Sequence, residues 1–232
     1  MPIGLFGGVQ EPMARIAANA YTIDAGRRLT TAALDEGHKL AVISAIMKYH
    51  ATTRMRESIN DAMDVHSGKA VIDGPLNYLQ PHYRAIPIGI TVEGANIVTR
   101  NLIIFGQGAI RAHPHLLDEM QALQEPDREK SLTDFNAGDI APLYARLSRW
   151  SAAFAVTADM AFLTLGGELK RKEMISARLG DALSEMFLVS AALKRWEDDG
   201  RHAGDLPLVQ YAAEVSFNRI GRALDETIAN FP

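Results

Sequence analysis

The sequence predicts an all-α protein, built as an antiparallel helical bundle with a further helical layer. Apolar residues recur every three or four positions over most of the chain, and the alternation typical of β-strands is essentially missing. Glycines and prolines concentrate in a few short stretches between the periodic segments. Helices are therefore expected near residues 9–34, 40–65, 140–165, 169–199 and 207–229.

The helix expected over residues 169–199 has the clearest pattern. Its apolar residues follow spacings of four and three, which places them on one stripe of a helix: Ile175, Leu179, Ala182, Met186, Val189, Leu193 and Trp196. Arg178, Asp181 and Glu185 fall on the other side, which we expect to be polar. Gly200 follows as a residue that ends the helix.

The first two helices are predicted on either side of Gly37. In the first, Met13 and Ile16 belong to an apolar face rich in alanine, which favours helix and close approach of a neighbouring helix. The second has apolar residues such as Ile46 and Ile59 at helical spacing. In the last helix, Pro207 suits a first helical position.

Two stretches do not show helical spacing. Residues 66–92 contain three glycines and three prolines, and we expect an irregular segment of a length that is usually functional or disordered. Residues 125–139 are polar and are expected to form a linker. The predicted organisation is thus a helical bundle at 1–124, a linker at 125–139, and an additional helical region at 140–232.

Composition argues against several classes of function. The 232 residues carry a formal charge of −4, which gives no electrostatic footprint for nucleic acid. The absence of cysteine excludes disulfides and thiolate chemistry, and is compatible with the reducing cytoplasm, where we expect the protein. No run of about 18 apolar residues occurs, so no transmembrane helix is expected in this chain. The first residues do not have the pattern of a secretory signal.

Generic catalytic motifs are mostly missing. There is no Walker A sequence and no Gly-x-Ser-x-Gly, and the glycines near Phe105 follow no predicted strand. A di-iron bundle needs Glu-x-x-His on two helices, and the nearest approach, residues 35–38, occurs once beside a glycine. We therefore expect no metal site.

One segment, Thr91–Arg100, places a carboxylate where irregular chain turns into helix. Apolar residues surround Glu93, among them Ile88, Val92 and Ile97. Such surroundings disfavour the charged form of a carboxyl group, which makes the carboxylate a stronger base toward a weak carbon acid. From spacing alone, a helix-start acid that complements the helix dipole remains the alternative.

Residues 91–104 resemble the acyl-CoA dehydrogenase segment that reads aromatic-Glu-Gly-Thr-Ser-Gln-Ile-Gln-Arg. Upstream, residues 64–70 stand where that family has Gln-x-x-Gly-Gly-x-Gly, at a similar distance from the glutamate. Four further stretches resemble the large bacterial, FadE-type enzymes: residues 11–17, 42–50, 105–111 and 175–181. The chain is therefore identified as similar to the C-terminal helical part of such an enzyme, without the family's N-terminal helical and central β-barrel domains.

The resemblance implies FAD-dependent α,β-dehydrogenation of a fatty acyl-CoA in β-oxidation. It implies that Glu93 is the base, that Gly94 and Ala95 lie beside the flavin, and that Ser67 and Gly68 approach the dinucleotide, usually that of a neighbouring subunit. It further implies a homo-oligomer, an electron-acceptor flavoprotein as partner, and possible membrane association of the longer protein. The chain is expected to be a fragment, a split gene product or a piece made for expression, and inactive alone.

Two other classes stay open at this point. One is a non-catalytic helical module for assembly or oligomerisation, because residues 113–232 carry no assignable chemistry. The other is a helical metal protein. A bound yellow chromophore would separate the dehydrogenase from both, and metal analysis would decide the last.

Overall fold

The structure, a computed structural model, describes residues 1–108 and 138–232. Within these ranges every regular element is helical, which confirms the predicted all-α class. The described residues form eight α-helices, which are α1 (Gly7–Asp35), α2 (Ala41–His66), α3 (Gly68–Val71), α4 (Gln80–Thr91), α5 (Asn96–Val98), α6 (Ala141–Leu165), α7 (Glu173–Asp198) and α8 (Leu206–Ala229). Most of the predicted linker at 125–139 lies outside the described residues.

The five long helices begin and end close to where the apolar periodicity predicts. The largest difference is at the start of α7, where a 3₁₀ segment, Gly166–Lys170, precedes the helix instead of its first turn. At the other end, Gly200 adopts φ 90°, as expected of a glycine that ends a helix.

The prediction of an irregular segment at 66–92 is wrong, because this stretch contains α3 and α4. Pro81 lies in the first turn of α4, where a backbone N–H has no partner within the helix anyway. Pro87 lies inside α4 but is exposed, so water can satisfy the carbonyl that loses its partner. Both prolines thus occupy positions that a helix tolerates, although the number of prolines in this stretch had indicated irregular chain.

Helix α7 lies at the centre of the bundle and contacts α1, α6, α8 and the π-helical continuation of α5, Thr99–Gln107. All seven residues of its predicted apolar stripe are buried, with exposed fractions of 8% or less. Phe105 of the π-helix is also buried, and its ring packs on those of Phe154 and Phe162, with centroids 6.0 and 5.6 Å apart. A single core therefore joins elements from both ends of the chain.

Glu185 does not follow the prediction for the polar side of α7. It is 2% exposed, because α2 and α8 cover that side of the helix. The single-stripe pattern of apolar residues thus understates how much of α7 is enclosed.

By length and composition, one described helical stretch, Gly138–Lys170, could cross a membrane, with a window of mean hydropathy 1.3 that is 22% buried. The pair Gln80–Thr91 and Asn96–Gly106, bent by 49°, passes the same test together. Core helices have such compositions too, and α6 buries Leu143 and Ala161 in the core. The expectation of no transmembrane helix therefore stays a prediction.

Candidate active site

Glu93 lies in a tight turn between the end of α4 and the start of α5, three residues before Asn96. Its backbone φ is 54°, and that of Gly94 is 86°, so two successive residues are in the left-handed region. Glycine adopts this region freely, but a glutamate does so at a cost of about 1–2 kcal/mol. Such strain persists only where surrounding contacts hold it, and it is concentrated at functional sites.

The Glu93 carboxylate is exposed, and no described residue forms a hydrogen bond or ion pair with it. The apolar neighbours expected from the sequence are present: Ile88, Val92, Ile97 and Val98. In this chain they are themselves exposed, by 47% to 76%, so they form an open apolar surface rather than a closed pocket. A free carboxylate on such a surface is able to accept a proton from a molecule that docks there.

Contacts with α2 fix the turn from behind. The Lys48 ammonium donates to the Gly94 carbonyl oxygen at 2.5 Å and to Asn96 Oδ1 at 2.7 Å. The Asn96 amide donates in turn to the hydroxyls of Thr52 and Thr53 at 2.9 and 3.2 Å. Asn96 is buried, and each of its two polar side-chain atoms has a partner on α2. The backbone that carries Glu93 is therefore held from one face of α2.

The segment after the turn is fixed by α7. Arg100 donates through Nε and Nη2 to the two carboxylate oxygens of Asp181, at 2.9 and 2.6 Å. Burial raises the pKa of the Asp181 carboxyl, and the paired hydrogen bonds from Arg100 oppose this. Next to Asp181, Gly180 lets the backbones approach, since an added Cβ there would lie 3.4 Å from the Arg100 carbonyl oxygen. The pair joins the segment after the turn to a residue 81 positions away in the sequence.

The second predicted cofactor-binding stretch lies at the C-terminal end of α2. Ser67 has φ 51° and ψ −136°, a conformation that normally requires glycine. A Cβ added to Gly68 would meet nothing within 4 Å, so the space beside it is open. Ala70 is 2% exposed, which turns its methyl group into the protein and away from that space.

The chain between α3 and α4 is folded back over the end of α2 by two residues. The Asn77 amide donates to the carbonyl oxygens of Ala70 and Ile72 at 2.7 and 3.1 Å. The Tyr78 hydroxyl and His66 Nε2 lie 2.6 Å apart. These contacts keep the surface at Ser67 and Gly68 in a defined shape.

Within one chain, the turn at Glu93 and the stretch at Ser67 and Gly68 lie apart. The Glu93 turn is held near Thr52, whereas Ser67 lies 15 residues further along α2, about 22 Å at the rise of an α-helix. Glu93 and Gly94 are adjacent to the half-buried Ala95, while Ser67 and Gly68 form a separate surface.

A buried cluster of charges lies between α2, α7 and α8. Arg54 Nη2 donates to both carboxylate oxygens of Glu185, at 2.9 and 2.6 Å, and Arg219 donates to Glu185 and Glu57. Burial alone would raise the pKa of the Glu185 carboxyl, but the two arginines outweigh it and lower that pKa. Burial also lowers the pKa of Arg54, which starts high enough that the group keeps its proton.

The charged cluster lines a cavity of about 350 Å³ that also includes Arg100 and Asp181. His50 forms part of its wall, and burial lowers the pKa of that imidazole to about 3. Among the described residues no group of three or more histidine and acidic side chains could hold a metal ion.

Sequence reasoning missed Lys48, Asn96 and Asp181 as parts of the site. A lysine or asparagine within a helical pattern has no periodic signal, because the contact depends on the tertiary fold. Asp181 was predicted to lie on a polar helix face. Its partner Arg100 lies on the π-helix, and the position of that helix is not evident from the sequence.

Comparisons with known proteins give consistent results. Residues 1–106 match the family model described as acyl-CoA dehydrogenase, C-terminal domain, and residues 136–232 match the one described as acyl-CoA dehydrogenase, C-terminal, bacterial type. The chain is also similar to the crystal structure of an acyl-CoA dehydrogenase complexed with FAD from Bacillus anthracis, with a TM-score of 0.81 and 20% sequence identity. That match covers 100% of this chain and 44% of the other, which establishes a common fold.

Proposed function

Because the chain belongs to the acyl-CoA dehydrogenase family of oxidoreductases, we propose that it forms the helical part of an enzyme that dehydrogenates acyl-CoA. In this proposal Glu93 is the base that takes the α-proton of the acyl thioester. The observation that carries it is the strained turn with its unpaired carboxylate. A carboxylate without a partner among the described residues keeps its lone pairs available for the substrate.

The residues of the two candidate cofactor stretches fit FAD. The open space beside Gly68 admits a group from outside the chain, and the buried methyl of Ala70 does not obstruct it. Gly94 and Ala95 would lie beside the flavin ring. Because Gly94 has no side chain, it would leave space for the ring. When bound, the cofactor supplies the oxidising chemistry, as an acceptor for the hydride that leaves the β-carbon.

The distance between the two stretches supports an assembly of more than one chain. Ser67 and Gly68 would contact the dinucleotide of a neighbouring subunit, while Glu93 serves the cofactor of its own. We further propose a fatty acyl-CoA of β-oxidation as substrate, an electron-acceptor flavoprotein as redox partner, and a cytoplasmic location with possible membrane association of the longer protein.

The chain alone is expected to be inactive. It spans 44% of the length of the neighbour with a solved structure, and the surface around Glu93 is open. Catalysis requires base, acyl carbon and hydride acceptor to be held in near contact, which one open wall does not achieve. Stoichiometric FAD retention through gel filtration, or dye reduction with an acyl-CoA that Glu93→Gln abolishes, would show that the chain suffices.

The role of Glu93 is tested by Glu93→Gln in the flavin-containing enzyme that carries this chain. The amide keeps the shape of the side chain and loses the base, so turnover should fall by at least about 100-fold while bound flavin is unchanged. Glu168→Gln, another exposed glutamate remote from the turn, is the matched control and should behave like wild type. Normal turnover in Glu93→Gln would remove Glu93 from the mechanism.

A non-catalytic assembly module remains the second candidate. The observation in its favour is the exposed apolar side of α6, where Val156 and Leu163 are 63% and 76% exposed. Such a module would bind neither FAD nor acyl-CoA in the longer protein. The absorption spectrum of that protein distinguishes the two candidates.

A further inference from the structure

We infer that Lys48 is a positioning residue for Glu93, an inference that rests on the proposed role of Glu93 as the base. Among the described residues, no hydrogen bond or ion pair joins Lys48 to the Glu93 carboxylate. Its contacts are with the backbone of the turn, through the Gly94 carbonyl, and with Asn96 at the start of α5. Lys48 therefore acts on the direction of the Glu93 side chain through the peptide between Gly94 and Ala95.

Besides Lys48, the described contacts that hold the turn include the hydrogen bonds of the Asn96 amide to Thr52 and Thr53. Within the described part of the chain, the Gly94 carbonyl has one further donor, the Thr99 hydroxyl, at 3.3 Å. Left-handed backbone at Glu93 is unfavourable by itself, so the turn would relax toward an ordinary conformation if the stronger donor were lost. A relaxed turn would point the carboxylate elsewhere without disturbing the rest of the bundle.

The ammonium group suits this role because it has three donors and a charge. Two donors are used on acceptors from different residues, Gly94 and Asn96, which ties the two ends of the turn to one point. Charge-assisted hydrogen bonds are shorter and stronger than neutral ones. An uncharged side chain of the same length would fill the space but could not hold either acceptor.

The platform that carries Lys48 is itself rigid. Two residues further along α2, His50 is buried, and Arg54 one turn later is fixed to Glu185 of α7. The buried charge cluster thus fixes the position of Lys48. The hydrogen bonds from Lys48 then fix the position of the turn. No separate pattern in the sequence indicates this connection.

The first test uses Lys48→Met in the flavin-containing enzyme. We expect kcat to fall roughly 10–100-fold, because small misplacements of a catalytic group have effects of that size, with KM and flavin content nearly unchanged. Lys48→Arg, which keeps charge and donors, should recover much of the loss. Lys39→Met, an exposed lysine remote from the turn, should match wild type.

The second test measures amide hydrogen exchange in the whole 232-residue chain. Lys48→Met should accelerate exchange at residues 94–99 while the midpoint of global unfolding is unchanged, since Lys48 contributes to the turn and not to the core. A loss of activity with unchanged local exchange, or one explained by lower global stability, would overturn the inference.

The inference and the proposed function fail in different ways. If Glu93→Gln abolishes turnover but Lys48→Met stays within about threefold of wild type, Lys48 does not position the base. If Glu93→Gln leaves turnover intact, the assignment of the base fails first, whatever Lys48→Met does.

Discussion

Arg54 of α2 and Glu185 of α7 face each other in the centre of the bundle, each 2% exposed, with the guanidinium bonded to both carboxylate oxygens. Nη1 of Arg54 donates to Asn19 Oδ1 of α1 at 3.0 Å. One ion pair therefore connects three helices, and α7 is bound to the first half of the chain by more than apolar contact.

Removing one partner of this pair should be strongly destabilising. Glu185→Gln leaves the buried Arg54 guanidinium without its bonded carboxylate and should cost about 3–5 kcal/mol of unfolding free energy. Arg54→Met should cost less, because Arg219 still donates to the buried Glu185 carboxylate. Urea unfolding measures the loss. Arg222→Met, which breaks an exposed pair with Glu226, is the control and should have little effect. If Arg222→Met lowered the unfolding free energy as much as Glu185→Gln does, burial of the ion pair would not be the cause of the loss.

Acid should weaken the fold before it titrates the ordinary carboxylates. Burial lowers the pKa of His50 to about 3, so between that value and the ordinary 6.5 the unfolded state binds a proton that the native state does not. Stability therefore falls as pH decreases through this window. The lowered pKa of Glu185 acts in the same direction at lower pH.

His50→Gln removes the titrating group, so the unfolding free energy should depend less on pH between 6.5 and 4.5. The measurement is a series of urea titrations at fixed ionic strength. His38→Gln, an exposed histidine, is the matched control and should keep the wild-type slope. An unchanged slope in His50→Gln would show that the imidazole is protonated in the native state.

The pair Arg100–Asp181 should contribute both to stability and to the position of the turn. Asp181→Arg places two cations together and should cost about 1–2 kcal/mol, since both side chains are partly exposed. The double variant with Arg100→Asp reverses the pair and should recover part of the loss. Additive effects of the two changes, seen by urea unfolding, would mean that the residues do not interact.

Two glycines should respond differently to alanine. Gly94→Ala forces a side chain into φ 86° and within 3.3 Å of the Thr99 hydroxyl, so we expect a loss of about 1–2 kcal/mol. Gly68→Ala meets open space and should leave the stability of the chain unchanged. In the assembled enzyme it should reduce flavin retention instead. Normal flavin content in Gly68→Ala would argue against contact with the dinucleotide.

Sequence alone predicts the long helices well, because apolar spacing records which face of each is buried. It fails at α4, where Pro81 and Pro87 argue for irregular chain although both occupy positions that a helix tolerates. It also fails at Glu185, since spacing registers apolar burial and not a buried ion pair.

At the candidate site, the sequence predicts the role of Glu93 through its motif but not the residues that hold its turn. Lys48 lies 46 residues from Gly94, and Asp181 lies 81 residues from Arg100. Contacts of that separation depend on how helices pack, which residue types and spacing do not encode locally.

The distance in sequence between Arg54 and Glu185 has a consequence for biosynthesis. They are 131 residues apart, so at 5–20 residues per second the ribosome completes Glu185 roughly 7–26 s after Arg54. During that interval the guanidinium lacks the carboxylate that it bonds in the folded chain, and closing α1 and α2 around it would bury a cation without that partner. The enclosed arrangement of Arg54 can therefore be completed only after α7 has emerged from the ribosome.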